Sequence, residues 1–219
     1  MRILIVAATQ AEIAPMLARM YSTPTEDTTV DTYTHGPHDV DVLITGIGMV
    51  AMAAWCSRAL TQTSYDFALN LGVCGSFDEF LDPGTVVHVV SDRLAELGAE
   101  DGDRFLTLEE LELGGEAAFV NATPPSNAGL DELPTVNGIT VNTVHGDERS
   151  IAAVTARFSP QVESMEGAAF MSACLIRRIP FAQVRAVSNM VERRNRDAWR
   201  MDDAIRNLNG TALRILNHA

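Results

Sequence analysis

The sequence predicts an α/β fold: a single domain, residues 1–219, with a mixed, mostly parallel and twisted central sheet flanked by helices. Short apolar runs rich in β-branched residues alternate with helical patterns along the whole length, the order expected of parallel strands joined by crossover helices. The first run is apolar almost throughout rather than alternating, as in a central strand covered on both faces. The 219 residues and 47% apolar content allow one sizeable core, and no low-complexity linker or internal repeat divides it.

Residues 2–8 read as the first buried strand. The run is short and Glu12 follows almost at once, which favours a strand over a secretory leader. A helix follows at about 11–20, with Pro15 near its first turn, where a missing N–H costs little. Residues 28–35 and 40–45 give two strands around the turn His35-Gly36-Pro37-His38. Gly46-Ile47-Gly48 is a tight turn into an Ala- and Met-rich helix near 49–62. Phe67 to Val73 is another buried strand, running into the glycine-rich turn Gly72–Ser76. Pro83-Gly84 opens a strand through Val90. Residues 92–116 are acidic and loop-like with one short helix at 107–112, and 121–137 form a loop bearing Pro, Gly and Asn. Ile139 to Val144 is a strand, and His145-Gly146-Asp147 turns into a helix near 148–156. Ser164 N-caps a long helix to Arg178. Phe181 to Val187 is the last buried strand, and 202–217 the C-terminal helix. Ligands of such sheets gather beyond the carboxyl ends of the strands. The candidate site segments are therefore 9–12, 46–48, 73–76, 145–150, 163–166 and 188–197.

Composition excludes several functions. The net charge is −13, and all 16 basic residues are arginine. That balance argues against a nucleic-acid partner, which needs a basic face, and against anionic membrane surfaces. No stretch is long enough to span a membrane. Cys56, Cys74 and Cys174 are odd in number, far apart and set among apolar or small residues, so they read as reduced thiols in a cytoplasmic protein. His35 and His38 are the only close histidine pair, and no acidic or cysteine cluster completes a metal site.

Several site segments carry recognisable motifs. They are Ala7-Ala8-Thr9-Gln10-Ala11-Glu12, Thr45-Gly46-Ile47-Gly48-Met49-Val50-Ala51, Val162-Glu163-Ser164-Met165-Glu166-Gly167-Ala168-Ala169, and Arg185-Ala186-Val187-Ser188-Asn189. In this order and spacing the chain resembles the purine nucleoside phosphorylase / methylthioadenosine nucleosidase superfamily. Ala95-Glu96-Leu97-Gly98-Ala99-Glu100-Asp101-Gly102-Asp103 and Val191-Glu192-Arg193-Arg194-Asn195-Arg196-Asp197-Ala198-Trp199 narrow the resemblance to the futalosine hydrolases. The resemblance implies a nucleoside phosphorylase-like fold and hydrolysis of the N-glycosidic bond of futalosine, releasing hypoxanthine, in the alternative menaquinone pathway. It implies no cofactor, a small-molecule nucleoside as the partner, and a homo-oligomer, dimer or larger. The helix at 49–62 is a candidate interface, although burial within the fold explains it equally.

The resemblance also assigns roles. Glu166 would hold the ribose 2′- and 3′-hydroxyls, since an ionised carboxylate accepts two hydrogen bonds and lies near the oxocarbenium charge that glycosidic cleavage develops. Met165 would pack beneath the sugar. Glu12 would be the general base for the attacking water. Both glutamates also suit an ordinary first helical turn. Asn189 stands where methylthioadenosine nucleosidases carry aspartate; its amide can donate to O6 or N7 of a 6-oxopurine, or it is a turn residue. Ile47, Val73, Cys74, Gly75, His145 and Arg149 are the further candidates for binding substrate, with a core or capping role open for His145. Cys74 is a small pocket residue, because no neighbour activates it as a nucleophile. Arg193, Arg194 and Arg196 suit the tail carboxylate of futalosine, Arg194 foremost; pairing with Glu192 and Asp197, or a subunit contact, is the other reading. Two alternatives on the same fold remain. One is a nucleosidase for methylthioadenosine, S-adenosylhomocysteine or aminodeoxyfutalosine. The other is a phosphorylase, disfavoured because Asn70 and Leu71 replace the phosphate-binding arginine before the glycine-rich turn and Glu12 would repel the anion.

Overall fold

The computed structural model describes residues 1–24 and 29–219. The expected strand at 28–35 begins with Thr28, which lies outside the described residues. The elements run β1 (Arg2–Ala7), α1 (Gln10–Leu17), β2 (Tyr21–Thr23), β3 (Asp31–His35), β4 (His38–Ile44), α2 (Met49–Gln62), β5 (Phe67–Ser76) and β6 (Val86–Leu94). Then come β7 (Gly98–Asp101), β8 (Arg104–Thr107), β9 (Ala118–Val120), α3 (Ala128–Asp131), β10 (Thr135–Thr140), α4 (Glu148–Phe158), β11 (Val162–Ser164), α5 (Gly167–Arg177), β12 (Phe181–Met190) and α6 (Met201–Asn217).

The central sheet is mixed, in the order β11-β10-β6-β12-β5-β1-β4-β3-β2. Neighbours are parallel from β4 through β1 and β5 to β12, whereas β12 and β6 are antiparallel. β11 also pairs with β5, Glu163 opposite Gly75, so β5, β12, β6, β10 and β11 close into a ring.

The alternation of side chains along β1 divides the core. Leu4 and Val6 point to the layer where α2 and α5 pack together, against Met52, Cys56, Phe170 and Cys174. Ile3, Ile5 and Ala7 point to the opposite layer, against Ile13 and Met16 of α1 and Leu208, Ala212 and Ile215 of α6. A strand covered on both faces has no polar side, which is why residues 2–8 lack alternation.

Several expectations are corrected. β5 continues to Ser76 instead of turning at Gly72. The glycines there make room: a Cβ on Gly72 would lie 2.3 Å from the Arg185 guanidinium, and one on Gly75 would lie 2.8 Å from Val191. β12 runs on past Val187 to Met190, with a bulge between Val187 and Asn189. β10 starts at Thr135 and ends at Thr140, earlier than its expected 139–144, so residues 141–147 become a connecting loop. The acidic segment holds the β7–β8 hairpin. The helix expected at 107–112 is one hydrogen-bonded turn, stopped where Glu112 adopts φ 53° before two glycines. α1 ends at Leu17, and Pro15 sits in its second turn, not its first. Ser164 belongs to β11 and the N-cap position of α5 is Glu166, although the Ser164 hydroxyl still accepts the Gly167 N–H at 3.2 Å.

Candidate active site

A cavity of about 770 Å³ opens beyond the carboxyl ends of β1, β5 and β12, and all six expected segments reach it. Smaller cavities of about 500 and 340 Å³ lie between the β7–β8 hairpin and α4, and between α1 and α6.

Glu12 projects from the first turn of α1 into the main cavity. Its Oε2 accepts the Thr9 N–H and the Thr9 hydroxyl, both at 2.9 Å, and its Oε1 accepts the Val73 N–H at 3.2 Å. The carboxylate is thus a helix-capping group and a cavity group at once. Its backbone is held from α6. Asn209 Nδ2 donates to the Glu12 carbonyl at 2.8 Å, and the Met16 N–H donates to Asn209 Oδ1 at 2.8 Å. The buried amide replaces the bond that Met16 would make to Glu12 in a regular helix, in the turn that Pro15 occupies.

Glu166 is 8% exposed and lines the same cavity. It does not cap α5 with its side chain, because Ser164 and Thr140 hydroxyls already accept the Gly167 and Ala168 N–H groups. Its carboxylate is free to turn to the Gly-Ile-Gly turn, where the Gly48 N–H donates to Oε1 at 2.9 Å. Gly46 and Gly48 have φ of 84° and 99°, a conformation that favours glycine. Two carboxylates thereby face one cavity from separate elements.

The bulge in β12 decides where Asn189 stands. It inserts Ser188 as an extra residue, so that Val187 pairs with Cys74 and Asn189 with Gly75. Asn189 Nδ2 donates to the Met190 carbonyl at 2.8 Å, and the Ser188 hydroxyl lies 2.8 Å from Asn189 Oδ1. An amide nitrogen carries two hydrogens, so one N–H of Asn189 has no such partner. Across Gly75, the Glu163 side chain lies on the same side as Asn189.

Glu163, quoted in the motif without a role, is 3% exposed on β11. Its Oε1 accepts the His145 main-chain N–H at 3.0 Å, and its Oε2 lies 2.6 Å from His145 Nδ1. Both residues line the main cavity, and His145 also borders the second cavity. No local pattern marks Glu163 as buried, since Gln161, Glu163 and Ser164 leave Val162 the one apolar residue there, and the adjacent Met-Glu pair drew the assignment.

Ile47, Val73, Cys74, Gly75, Met165 and Arg194 also line the main cavity. Burial pushes the Cys74 thiol up to about 12, so it is not a nucleophile at neutral pH. Arg149 is exposed at the start of α4 and does not line the cavity. Among the described residues Arg193, Arg194 and Arg196 form no ion pair; Arg194 and Arg196 instead stack on Trp199, at 5.0 and 5.8 Å. Trp199, Met201 and Ile205 complete the wall. Trp199 closes the last motif, where the arginines before it drew the functional reading, and Met201 and Ile205 lie beyond that motif, in α6. No group of three or more His, Cys, Asp and Glu is placed to hold a metal among the described residues.

Known proteins resemble this chain in sequence and in fold. The sequence profile of the phosphorylase superfamily matches residues 2–218. Futalosine hydrolase of Acidothermus cellulolyticus is 33% identical over 180 residues, covering 77% of this chain and 71% of that one. Futalosine hydrolase of Thermus thermophilus is 30% identical, covering 80% of each. Among solved structures, a 5′-methylthioadenosine/S-adenosylhomocysteine nucleosidase from Colwellia psychrerythraea, in complex with adenine, superposes with a TM-score of 0.81 at 24% identity, covering 100% of this chain and 95% of that one.

Proposed function

The chain belongs to the phosphorylase superfamily, and within it to the futalosine hydrolases, and from that membership we propose that it hydrolyses the N-glycosidic bond of futalosine and releases hypoxanthine. The single observation that carries the mechanism is the meeting of Glu12, Glu166 and Asn189 on one cavity.

The reaction separates three demands. Cleavage builds positive charge on the ribose, and Glu166 holds the 2′- and 3′-hydroxyls close to it. Water must lose a proton as it attacks C1′. Glu12 takes it, with a carboxylate oriented by three donors. The purine must be gripped, and the remaining N–H of Asn189 donates to O6 or N7, a match for a 6-oxopurine. Met165 supplies an apolar floor for the sugar. Arg194, flattened on Trp199 at the cavity wall, suits the tail carboxylate. Ile47, Val50 and Trp55 leave apolar surface exposed near the turn that meets Glu166, which supports a homo-oligomer. Three buried free thiols fit a cytoplasmic location.

Relatives named 5′-methylthioadenosine/S-adenosylhomocysteine nucleosidase are 24–27% identical, which makes adenine nucleosides the second reading. The test is purine release in phosphate-free buffer from futalosine, aminodeoxyfutalosine, methylthioadenosine and inosine in parallel. Rapid release of hypoxanthine from futalosine is the expected result. Release from the adenine nucleosides alone would overturn the role of Asn189, and a requirement for phosphate would make the enzyme a phosphorylase.

A further inference from the structure

When the C1′–N9 bond breaks, its electron pair goes to the purine, which departs as a poor anion unless it gains a proton. Asn189 stands at the base end of the proposed site, yet an amide has no proton to give. The described cavity contains another group suited to the task. We propose that His145, held by the buried carboxylate of Glu163, is the general acid that protonates the departing purine; this rests on the nucleosidase reading above.

Glu163 commits both oxygens to one residue: Oε1 to the His145 main chain at 3.0 Å and Oε2 to its Nδ1 at 2.6 Å. A carboxylate on Nδ1 fixes the tautomer that carries a proton on that nitrogen and orients the ring. His145 Nε2 makes no hydrogen bond among the described residues, while the ring borders the cavity. The edge of Phe77, at 6.2 Å between centroids, packs against the imidazole. Glu163 and Asn189 flank Gly75 on the same side, with Glu163 Cγ 3.6 Å and Asn189 Nδ2 3.5 Å from where its Cβ would stand. The dyad therefore lies beside the residue proposed to grip the purine. A 3%-exposed carboxylate serves packing poorly, since an apolar pair would fill the same space without the cost of burying charge.

The step balances. C1′–N9 breaks and the purine takes both electrons together with the Nε2 proton of the imidazolium. A water oxygen bonds to C1′ and passes one proton to Glu12. Glu12 releases that proton to solvent, and His145 takes one back.

His145→Gln and Glu163→Gln, the latter keeping an acceptor for Nδ1, are compared with the parent on futalosine. The expected result in both is a fall in kcat on the order of 100-fold, with KM changed by no more than a few-fold. On 7-methylfutalosine, whose purine is already cationic and leaves without a proton, the expected loss is several-fold at most. A rise in KM with kcat retained would make His145 a binding residue only and overturn the proposal. So would unchanged hypoxanthine release, or equal losses on both substrates. Ring ¹⁵N shifts of His145 give a second readout: Nδ1 protonated in the parent supports the dyad, and Nε2 as the protonated nitrogen of the neutral ring overturns it. If the parent itself releases no hypoxanthine from futalosine, the substrate reading fails instead, a result distinct from these.

Discussion

Glu12 carries the sharpest consequence at the scale of one residue. Its carboxylate is held by Thr9 and by the Val73 N–H, and Gln in its place can still accept those bonds but cannot take a proton from water. Glu12→Gln is expected to lower kcat on the order of 100- to 10,000-fold while calorimetry shows nucleoside binding retained; unchanged turnover would remove Glu12 from the chemistry. Gly72 is the second such position. The Arg185 guanidinium and Glu12 Oε1 crowd the space above it, 2.3 and 3.0 Å from an added Cβ. Arg185 is 2% exposed and bonded to Asn70 at 2.6 Å, so it cannot swing away. Gly72→Ala is expected to cost about 1–3 kcal/mol in urea unfolding, the usual effect of overpacking, and to lower kcat by displacing the Glu12 carboxylate.

Elements position these residues in ways that local sequence does not announce. α1 is only eight residues long and carries Pro15 in its second turn, so it cannot aim Glu12 alone. The Asn209 amide of α6 splices into its hydrogen-bond ladder and also donates to the Ile205 carbonyl at 2.7 Å. Asn209→Leu removes both bridging bonds and leaves a buried Met16 N–H unpaired, an expected loss of about 1–3 kcal/mol. Because the clasp ends on Glu12, kcat should fall more than KM changes. An activity loss that disappears once the fraction folded is accounted for would reduce Asn209 to a structural role. The bulge at Ser188 works likewise on β12, turning Asn189 beside Gly75. β5 and β12 run past the ends that the sequence predicts for one reason. Glycine or a polar residue at a strand end reads as a turn, whereas here ring closure through β11 and β5 keeps pairing going past those residues.

At the scale of the whole molecule, Asp92 links fold and pH. It is 1% exposed beneath the N-terminus of α5, accepting Thr140 Oγ1 at 2.9 Å and Gln183 Nε2 at 2.8 Å. Burial pushes its carboxyl up to about 6 against these hydrogen bonds. The folded chain thus binds this proton more tightly than the unfolded chain. The resulting stability is complete below the ordinary value of 3.8 and is lost as pH rises through about 6, a span on the order of 3 kcal/mol. Asp92→Asn is expected to flatten the pH dependence of urea unfolding between pH 4 and 6. Its new amide has a waiting partner in Gln183 Oε1, which is buried and unpaired, so stability at pH 8 should equal or exceed that of the parent. A pH dependence as steep as the parent's would refute this assignment.

The sequence by itself determined the α/β class, both faces of the core and the six segments that meet at the cavity. Those features follow from local periodicity and from turns between strands and helices, which nearby residues encode. It also singled out Glu12, Glu166 and Asn189, because their motifs are contiguous. Only the tertiary structure decided that β11 closes a ring on β5, that Glu163 is spent on His145, that Asn209 holds Glu12 across 197 residues, and that Trp199 lies beneath Arg194 while Arg149 faces away. Each depends on a pairing between distant segments, and such contacts are set by packing and hydrogen-bond satisfaction over the whole chain, which no window of sequence contains.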